Sequence, residues 1–575
     1  MSIQDLADLP DGYALQADLC IVGAGAAGIA MALQFIGTGI EVVLLEAGGR
    51  GEEAATQSLY QGSVADEKLH SPPDRYRQRR FGGTTTIWGG RCMPFDPIDF
   101  DRREYVTHSG WPLSRDKLMP YYAEANRLCE AGEFAYTIDR AFDKSMRPII
   151  EGFESGNFTT DTLERFSCPT DFGARYGHKL EAARNIRVLL HANATDLTLD
   201  RNGTALVAIE ARDFAGKRIS VRARQYVLAT GGLEVARLLL ANRAVQQAGI
   251  GNEHDVVGRF YMCHIAGTVG AMNVKGPPSS VWHGYDVADD GTYCRRRFAL
   301  RESAQRMYQL GNFIARLHHP RITDPRHRNP VLSLLFLAKY LIPYEYRIRL
   351  HGSEPTTLAM VSQHLRNVLL GPADTAAFAI HMLRDRKFAE RKFPSLIIKS
   401  KANLYSLDFH AEQRPNPMSR ITLGDQIDAF GMRQLHIDWR YTAEDVDTVT
   451  RSIALLAEDF RLNGVGTFEY DPSTLEEEMT RYGAYGGHHI GTARMGNDTR
   501  SSVVDSNCRV HGVGNLFIAS AATFPTSSQA NPTLTIVALS LRLAEHIKAA
   551  MMRPIPNSTT GSVHSEPVQP SSHTA

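Results

Sequence analysis

The sequence predicts an α/β chain, α+β over its full length: a doubly wound sheet carries a second unit built on an antiparallel sheet and helices. Two observations lead to this. Asp18-Leu19-Cys20-Ile21-Val22, a glycine turn, a small-residue helix over Ala26–Phe35 and the strand Ile40–Glu46 follow one another as a βαβ unit. From about residue 266 to 480 the pattern changes to mixed helices and strands, with Leu404–Phe409, Arg420–Leu423 and Leu435–Trp439 reading as strands of a second sheet. At 575 residues the chain is also too long for a single core.

The glycine turn is Gly23-x-Gly25-x-x-Gly28. Gly23 permits the tight turn, Gly25 lets the backbone reach a pyrophosphate and Gly28 lets helix and strand pack closely. Ala26 and Ala27 open the helix, whose N-terminus faces the negative charge. Glu46 ends the second strand, where an acid binds a ribose hydroxyl and disfavours a 2′-phosphate. Strand, turn, helix and acid in this order make the unit a Rossmann-like dinucleotide site.

Residues 1–16 read as a loose leader and residues 50–80 as polar and irregular. The loop Phe81–Gly90, with Gly82, Gly83, Thr84 and Thr85, is built for close approach of backbone to a ligand. Arg184–Gly231 reads as a β-meander and Leu233–Asn242 as a helix. Thr442 with Asp445 caps an amphipathic helix over 442–463. Leu516–Ser520 is a short strand and Pro532–Met551 a closing helix. The Ser/Thr/Pro-rich stretch 553–575 reads as a disordered tail. The expected organisation is a discontinuous cofactor domain (17–130, 184–265 and 480–552) and a substrate domain (131–183 and 266–479).

Composition excludes several classes. Sixty-three basic and 63 acidic residues leave no net charge, so no global field attracts nucleic acid. The clusters Arg75-x-Arg77-x-Arg79-Arg80 and Arg295-Arg296-Arg297 read as solvated surface or loop anchors. Seven scattered cysteines show no metal-ligand spacing, so no metal site is expected. Their odd count, with no export signal at the start, points to reduced thiols and a cytoplasmic protein. The most apolar run, Val331–Ile342, has 12 residues where a membrane span needs about 20, so no integral membrane segment is expected. It reads as a buried or interfacial helix.

Five segments, in order, carry a family likeness: the fingerprint with Glu46; Gly82-Gly83-Thr84-Thr85; Tyr226-Val227-Leu228-Ala229-Thr230-Gly231-Gly232; Val257-Gly258-Arg259; and the C-terminal pair Gly487–Gly496 and Gln529–Ile536. The chain resembles the glucose-methanol-choline (GMC) family of FAD-dependent oxidoreductases over nearly its whole length. The resemblance implies FAD, with the Gly82 loop along the flavin and the Ala229-Thr230-Gly231 turn supporting its domain. It also implies Ala194 near the adenine, and Ser520, Ala521, Pro532 and Thr533 returning to the cofactor. One branch of the family attaches flavin to a histidine in a Ser-Thr-His-Trp context; here the run is Thr85-Thr86-Ile87-Trp88, and Ile87 has no nucleophilic atom, so FAD is expected to be non-covalent.

Oxidising an alcohol requires a base near neutrality for the hydroxyl proton while hydride leaves carbon. By the resemblance His488 is that base, and Asn531 donates its amide N–H to the substrate oxygen. His489 competes for the role. His264 either borders the flavin or is a satisfied core histidine, Trp88 closes the substrate side or packs in the core, Glu412-Gln413-Arg414-Pro415 resembles a family segment that could line the pocket, and Arg494 reads as an ion-pair anchor. The expected activity is oxidation of a small-molecule alcohol on a sugar, polyol or glycosylated compound, with oxygen or a separate electron acceptor. The rivals are an apolar alcohol such as a sterol under a Val331–Ile342 lid, a flavin-dependent lyase or non-catalytic flavoprotein, and a simple NAD-dependent enzyme that leaves the C-terminal pair without a role.

Overall fold

The computed structural model describes residues 2–342, 347, 351, 355–395, 397–398, 400, 403–480 and 484–552; the stretch 553–575, expected to be disordered, lies outside them. The strand Tyr13–Val22 stands at the middle of an eight-stranded sheet. It runs parallel to Val42–Leu45 on one side, with Leu19 opposite Val42, and to Arg218–Leu228 on the other, with Tyr13 opposite Ile219. Leu19–Val22 are all buried, as expected of a parallel strand covered on both faces. Ile186–Leu190 and Ile3–Asp5 continue the parallel half. On the other side Leu206–Arg212 and Asn193–Leu199 are antiparallel, and Leu516–Ile518 returns to pair in parallel with the end of Arg218–Leu228.

Two sequence expectations change here. Residues 1–16 are no loose leader: Ile3–Asp5 is an edge strand, and Tyr13–Gln16 begins the central one. The 184–231 region is not one meander either. Ile186–Leu190 is an apolar parallel strand, and the chain turns at His191 (φ 53°) before the three antiparallel strands start.

The second sheet has seven strands, all antiparallel: Gly466–Glu469, Met262–Val274, Leu404–Glu412, Phe313–His318, Phe298–Leu300 and Phe158–Thr159 in order, with Tyr485–Ile490 also beside Met262–Val274. The helix Ala443–Leu462 packs Val449, Ile453, Leu456 and Phe460 into its core. Thr442 and Asp445 form the predicted reciprocal cap. Arg420–Ile427 and Arg433–Asp438 do not join this sheet as expected, but form a three-stranded sheet with Gly62–Val64. Pro415 and Pro417 explain the split, because neither can donate to a ladder. A four-stranded sheet of Asp286–Val287, Tyr293–Arg296, Leu163–Phe166 and Arg91–Cys92 completes the fold. The apolar run is a helix, Pro330–Leu337, that buries Val331, Leu332 and Phe336, followed by a turn with Tyr340 and Leu341 exposed. Among the described residues no helix is long and apolar enough to cross a membrane.

Arg103 and Glu412 tie the segment after the Phe81–Gly90 loop to the seven-stranded sheet. Both side chains are fully buried, and they meet through two bonds of 2.8 and 2.5 Å. Burial opposes the Glu412 charge, but the Arg103 guanidinium outweighs it and holds the carboxyl below its usual range. Arg103→Ala therefore strands a buried carboxylate and should cost about 3–5 kcal/mol. Urea denaturation at pH 7 checks this; an unchanged midpoint would show that the pair is no joint.

Candidate active site

A cavity of about 230 Å³ runs along the C-terminal ends of the parallel strands, where open α/β sheets bind ligands. Gly23, Gly25, Ala26, Ala27, Glu46, Gly83, Thr84, Thr85, Ala194, Ala229, Thr230, Gly231, Ser520 and Thr533 line it. Gly28 and Gly82 stand behind this wall. A Cβ on Gly28 would lie 1.9 Å from the Gly23 carbonyl oxygen, and one on Gly82 would lie 2.6 Å from Asp171 Oδ1. The helix Ala26–Leu33 starts at Gly25 with no side-chain cap, so its first N–H groups serve the cavity. Glu46 accepts the Ala24 and Gly48 N–H groups at 2.8 and 3.0 Å. Burial raises its pKa against those bonds and against Arg79. Thr230 Oγ1 is buried with no hydrogen-bond partner among the described residues. An uncapped helix N-terminus, a fixed carboxylate and an orphaned hydroxyl fit a pyrophosphate and a ribose.

Glu234 forms the side wall. Arg77, Arg79 and Arg237 reach it at 3.2, 3.2 and 3.5 Å, so two arginines of the 75–80 cluster are buried partners rather than surface. Although burial pushes Glu234 up, Arg237, Arg77 and Arg79 bring it down to about 2.

A second chamber, about 370 Å³, opens from the first across Thr84, Trp88, Thr230, Gly231, Ser520, Thr533 and Ile536. His488, His489, Asn531, Ala521, Pro532, Ile87 and Trp88 line it. His488 lies on the strand Tyr485–Ile490, paired with Met262–Val274, and Asn531 just precedes the helix Thr533–Met552. Asn531 Oδ1 is buried with no hydrogen-bond partner among the described residues.

His264 determines the chemistry of His488. Its Nε2 lies 3.1 Å from the Ser527 carbonyl, which can only accept, so Nε2 carries the proton. Burial holds His264 down to about 4, so the ring is neutral and its Nδ1 is an acceptor. His488 Nδ1, 2.7 Å away, must then be the donor, which puts the His488 lone pair on Nε2. Sequence reading left His264 undecided, because a bond across 224 residues has no local signature.

His489 faces differently. Its ring packs with His70 and Tyr261 at 6.4 and 6.1 Å, and burial, Arg77 and His70 hold it well below its ordinary pKa. Trp88 lines both cavities and donates to the Thr170 carbonyl at 3.0 Å. Glu412, Gln413 and Arg414 do not line either cavity: Glu412 pairs with Arg103, Gln413 accepts from Cys263 N–H and Trp439 Nε1, and Arg414 donates to the Tyr105 carbonyl. Arg494 has no ion pair among the described residues. It stacks on Phe260 at 4.2 Å and donates to the His108 carbonyl, with burial lowering it to about 10.

A family profile described as FAD dependent oxidoreductase matches residues 18–377, and one described as GMC oxidoreductase matches residues 415–540. The chain belongs to the GMC family of FAD-dependent oxidoreductases. Among curated relatives, the fructose dehydrogenase large subunit of Gluconobacter japonicus is 25% identical over 93% of this chain and 98% of its own. The 6'''-hydroxyparomomycin C oxidase of Streptomyces lividus is 24% identical over 92% of each. The crystal structure of pyridoxine 4-oxidase from Mesorbium loti superposes with a TM-score of 0.51 at 19% identity, covering 93% of this chain and 99% of that one, which is a likeness of fold. The GMC oxidoreductase therefore binds FAD, and the first cavity has the chemistry to hold it.

The Glu234 cluster gives that cavity an acid limit. Folded Glu234 titrates near 2 against an ordinary 4.5, so its stabilisation, about 3 kcal/mol, is complete above pH 4.5 and drains away between there and about pH 2. Flavin fluorescence should rise over that window as FAD is released, and Glu234→Gln should flatten the response. An identical acid profile in the variant would locate the limit elsewhere.

Proposed function

We propose that the protein oxidises a carbinol on a sugar, polyol or glycosylated small molecule, with His488 as base and Asn531 as oxygen ligand. The His264–His488 hydrogen bond carries this reading, because it puts the His488 lone pair on Nε2 in a chamber that Asn531 also lines. Bound FAD supplies the hydride acceptor. His488 Nε2 removes the hydroxyl proton. Asn531 orients the oxygen and donates to it as negative charge develops. His264 fixes the tautomer, as a positioning residue behind the base. Trp88 and Ile536 exclude water at the junction of the two cavities.

The substrate class is supported by relatives named for fructose, 6'''-hydroxyparomomycin C and, at 23% identity in Streptomyces fradiae, paromamine. It is also supported by a polar lining that includes Arg91, Arg295, Arg316 and His318. The lid imagined for an apolar alcohol has no such support, since none of Val331–Ile342 lines the chamber. We assign reoxidation to oxygen or a separate acceptor. We assign the protein to the cytoplasm on its seven free cysteines, six of them buried.

Anaerobic stopped-flow tests the roles. His488→Ala should slow flavin reduction by about a hundredfold or more with FAD still bound, and Asn531→Ala by about a hundredfold. Reduction at the wild-type rate in either variant would remove that residue from the chemistry. Acid precipitation should leave the flavin in the supernatant, because Ile87 cannot form a bond to it; yellow pellets would contradict this.

A further inference from the structure

One wall of the chamber carries more positive charge than its carboxylates neutralise. Arg91, Arg295 and Arg316 line it, from three different strands, and Arg297 stands nearby. Glu164, fully buried on Leu163–Phe166, is their common counter-ion. Arg316 reaches its two oxygens at 3.1 and 3.0 Å, Arg91 reaches it at 3.1 Å and Arg297 at 3.9 Å. Arg316 also pairs with Asp408 at 2.7 Å. Arg295 is directly opposite Glu164 in the antiparallel ladder, yet among the described residues it forms no ion pair. Its Nη2 donates to the Leu317 carbonyl at 2.8 Å, and its Nε has no hydrogen-bond partner.

Four guanidinium groups thus share Glu164 and Asp408, with Asp96 also acting on Arg297, and the one that forms no ion pair among the described residues is only 7% exposed. A buried guanidinium cannot shed its proton, and Glu164 and Asp408, which attract Arg295 without forming an ion pair with it, do not offset the cost of its burial. Burial accordingly draws Arg295 below its ordinary range. Glu164 is already held by three arginines, so Arg295 is not needed to satisfy it. The Tyr285 ring, 5.7 Å from the guanidinium carbon, supports the plane of the fork.

We propose that Arg295 anchors an anionic group, a carboxylate or phosphate, on the alcohol being oxidised, so that the substrate is a sugar acid or sugar phosphate. This deepens the proposed function and rests on it. A guanidinium that lines the chamber without an ion pair of its own is suited to capture of either anion. Arg316 and Arg91, fixed by Glu164, raise the local potential without being consumed. Anchoring one end at Arg295 while His488 and Asn531 hold a hydroxyl in the same chamber selects which hydroxyl reacts.

The test is a titration of the FAD-loaded protein, read by the visible flavin bands, with glucuronate, glucose 6-phosphate, glucose and inorganic phosphate. We expect glucuronate or glucose 6-phosphate to bind at least about tenfold more tightly than glucose, with inorganic phosphate competing. The tighter of the two identifies the anion. Arg295→Gln should erase the preference, and Arg295→Lys, which keeps charge but not the fork, should retain part of it. If Arg295→Gln fails to fold, the wild-type titration decides alone. No anion binding more tightly than glucose, or an undiminished preference in Arg295→Gln, overturns the anchor. In His488→Ala the anion preference should persist whatever happens to turnover. Loss of the oxidation reading and loss of the anchor are therefore separate outcomes.

Discussion

The molecule is organised around a place where two backbones meet with no room for a side chain. A Cβ on Gly23 would lie 2.7 Å from the carbonyl oxygen of Ala229, at a φ of 101° that favours glycine. This contact brings the ends of the strands Tyr13–Val22 and Arg218–Leu228 together as the floor of the cofactor cleft. The helix Ala26–Leu33 can then start at the cleft edge, and Gly83 can cross within contact of Gly25. Widen that floor by one methyl group and the wall residues lose their common reference.

Above the floor, charge is arranged in two similar units. Glu234 is shared by three arginines beside the first cavity, and Glu164 by three beside the second. Each carboxylate is buried deeply enough that only several guanidinium groups together keep it ionised. The histidines follow the opposite rule. His264 and His489 are kept neutral by burial, and neutrality is what makes a chain of defined tautomers possible. Fixed cations and uncharged imidazoles thus divide the site: the former hold charged groups in place, and the latter, through His264, set the tautomer of His488.

Much of this was legible in the sequence where the signal is local. The fingerprint, Glu46 and the Thr442–Asp445 cap are written in a few neighbouring residues, and the cavity lining follows them. His488 and Asn531, singled out through family likeness, share one chamber. What escaped depends on long-range register. His264 meets His488 because two strands far apart in sequence pair antiparallel. Arg295 looked like surface because a run of three arginines is polar, yet the strand bearing it lies in a covered sheet beside Leu163–Phe166. Ile3–Asp5 is too short for any periodicity to announce it, and it is recognised only by the strand it joins.

Leu516–Ile518 and the helix Thr533–Met552 are the last elements described, yet they deliver Ser520, Thr533 and Ile536 to the cleft and Asn531 to the chamber. While the chain is still on the ribosome, the βαβ unit can form early, but its binding groove stays open on one side. The cleft is therefore complete only when this C-terminal return has docked against the early βαβ unit. A chain cut anywhere before Leu516 keeps its fingerprint but loses Ser520, Thr533 and Ile536 from the cleft and Asn531 from the chamber, so the motif most visible in the sequence is not sufficient to build the site.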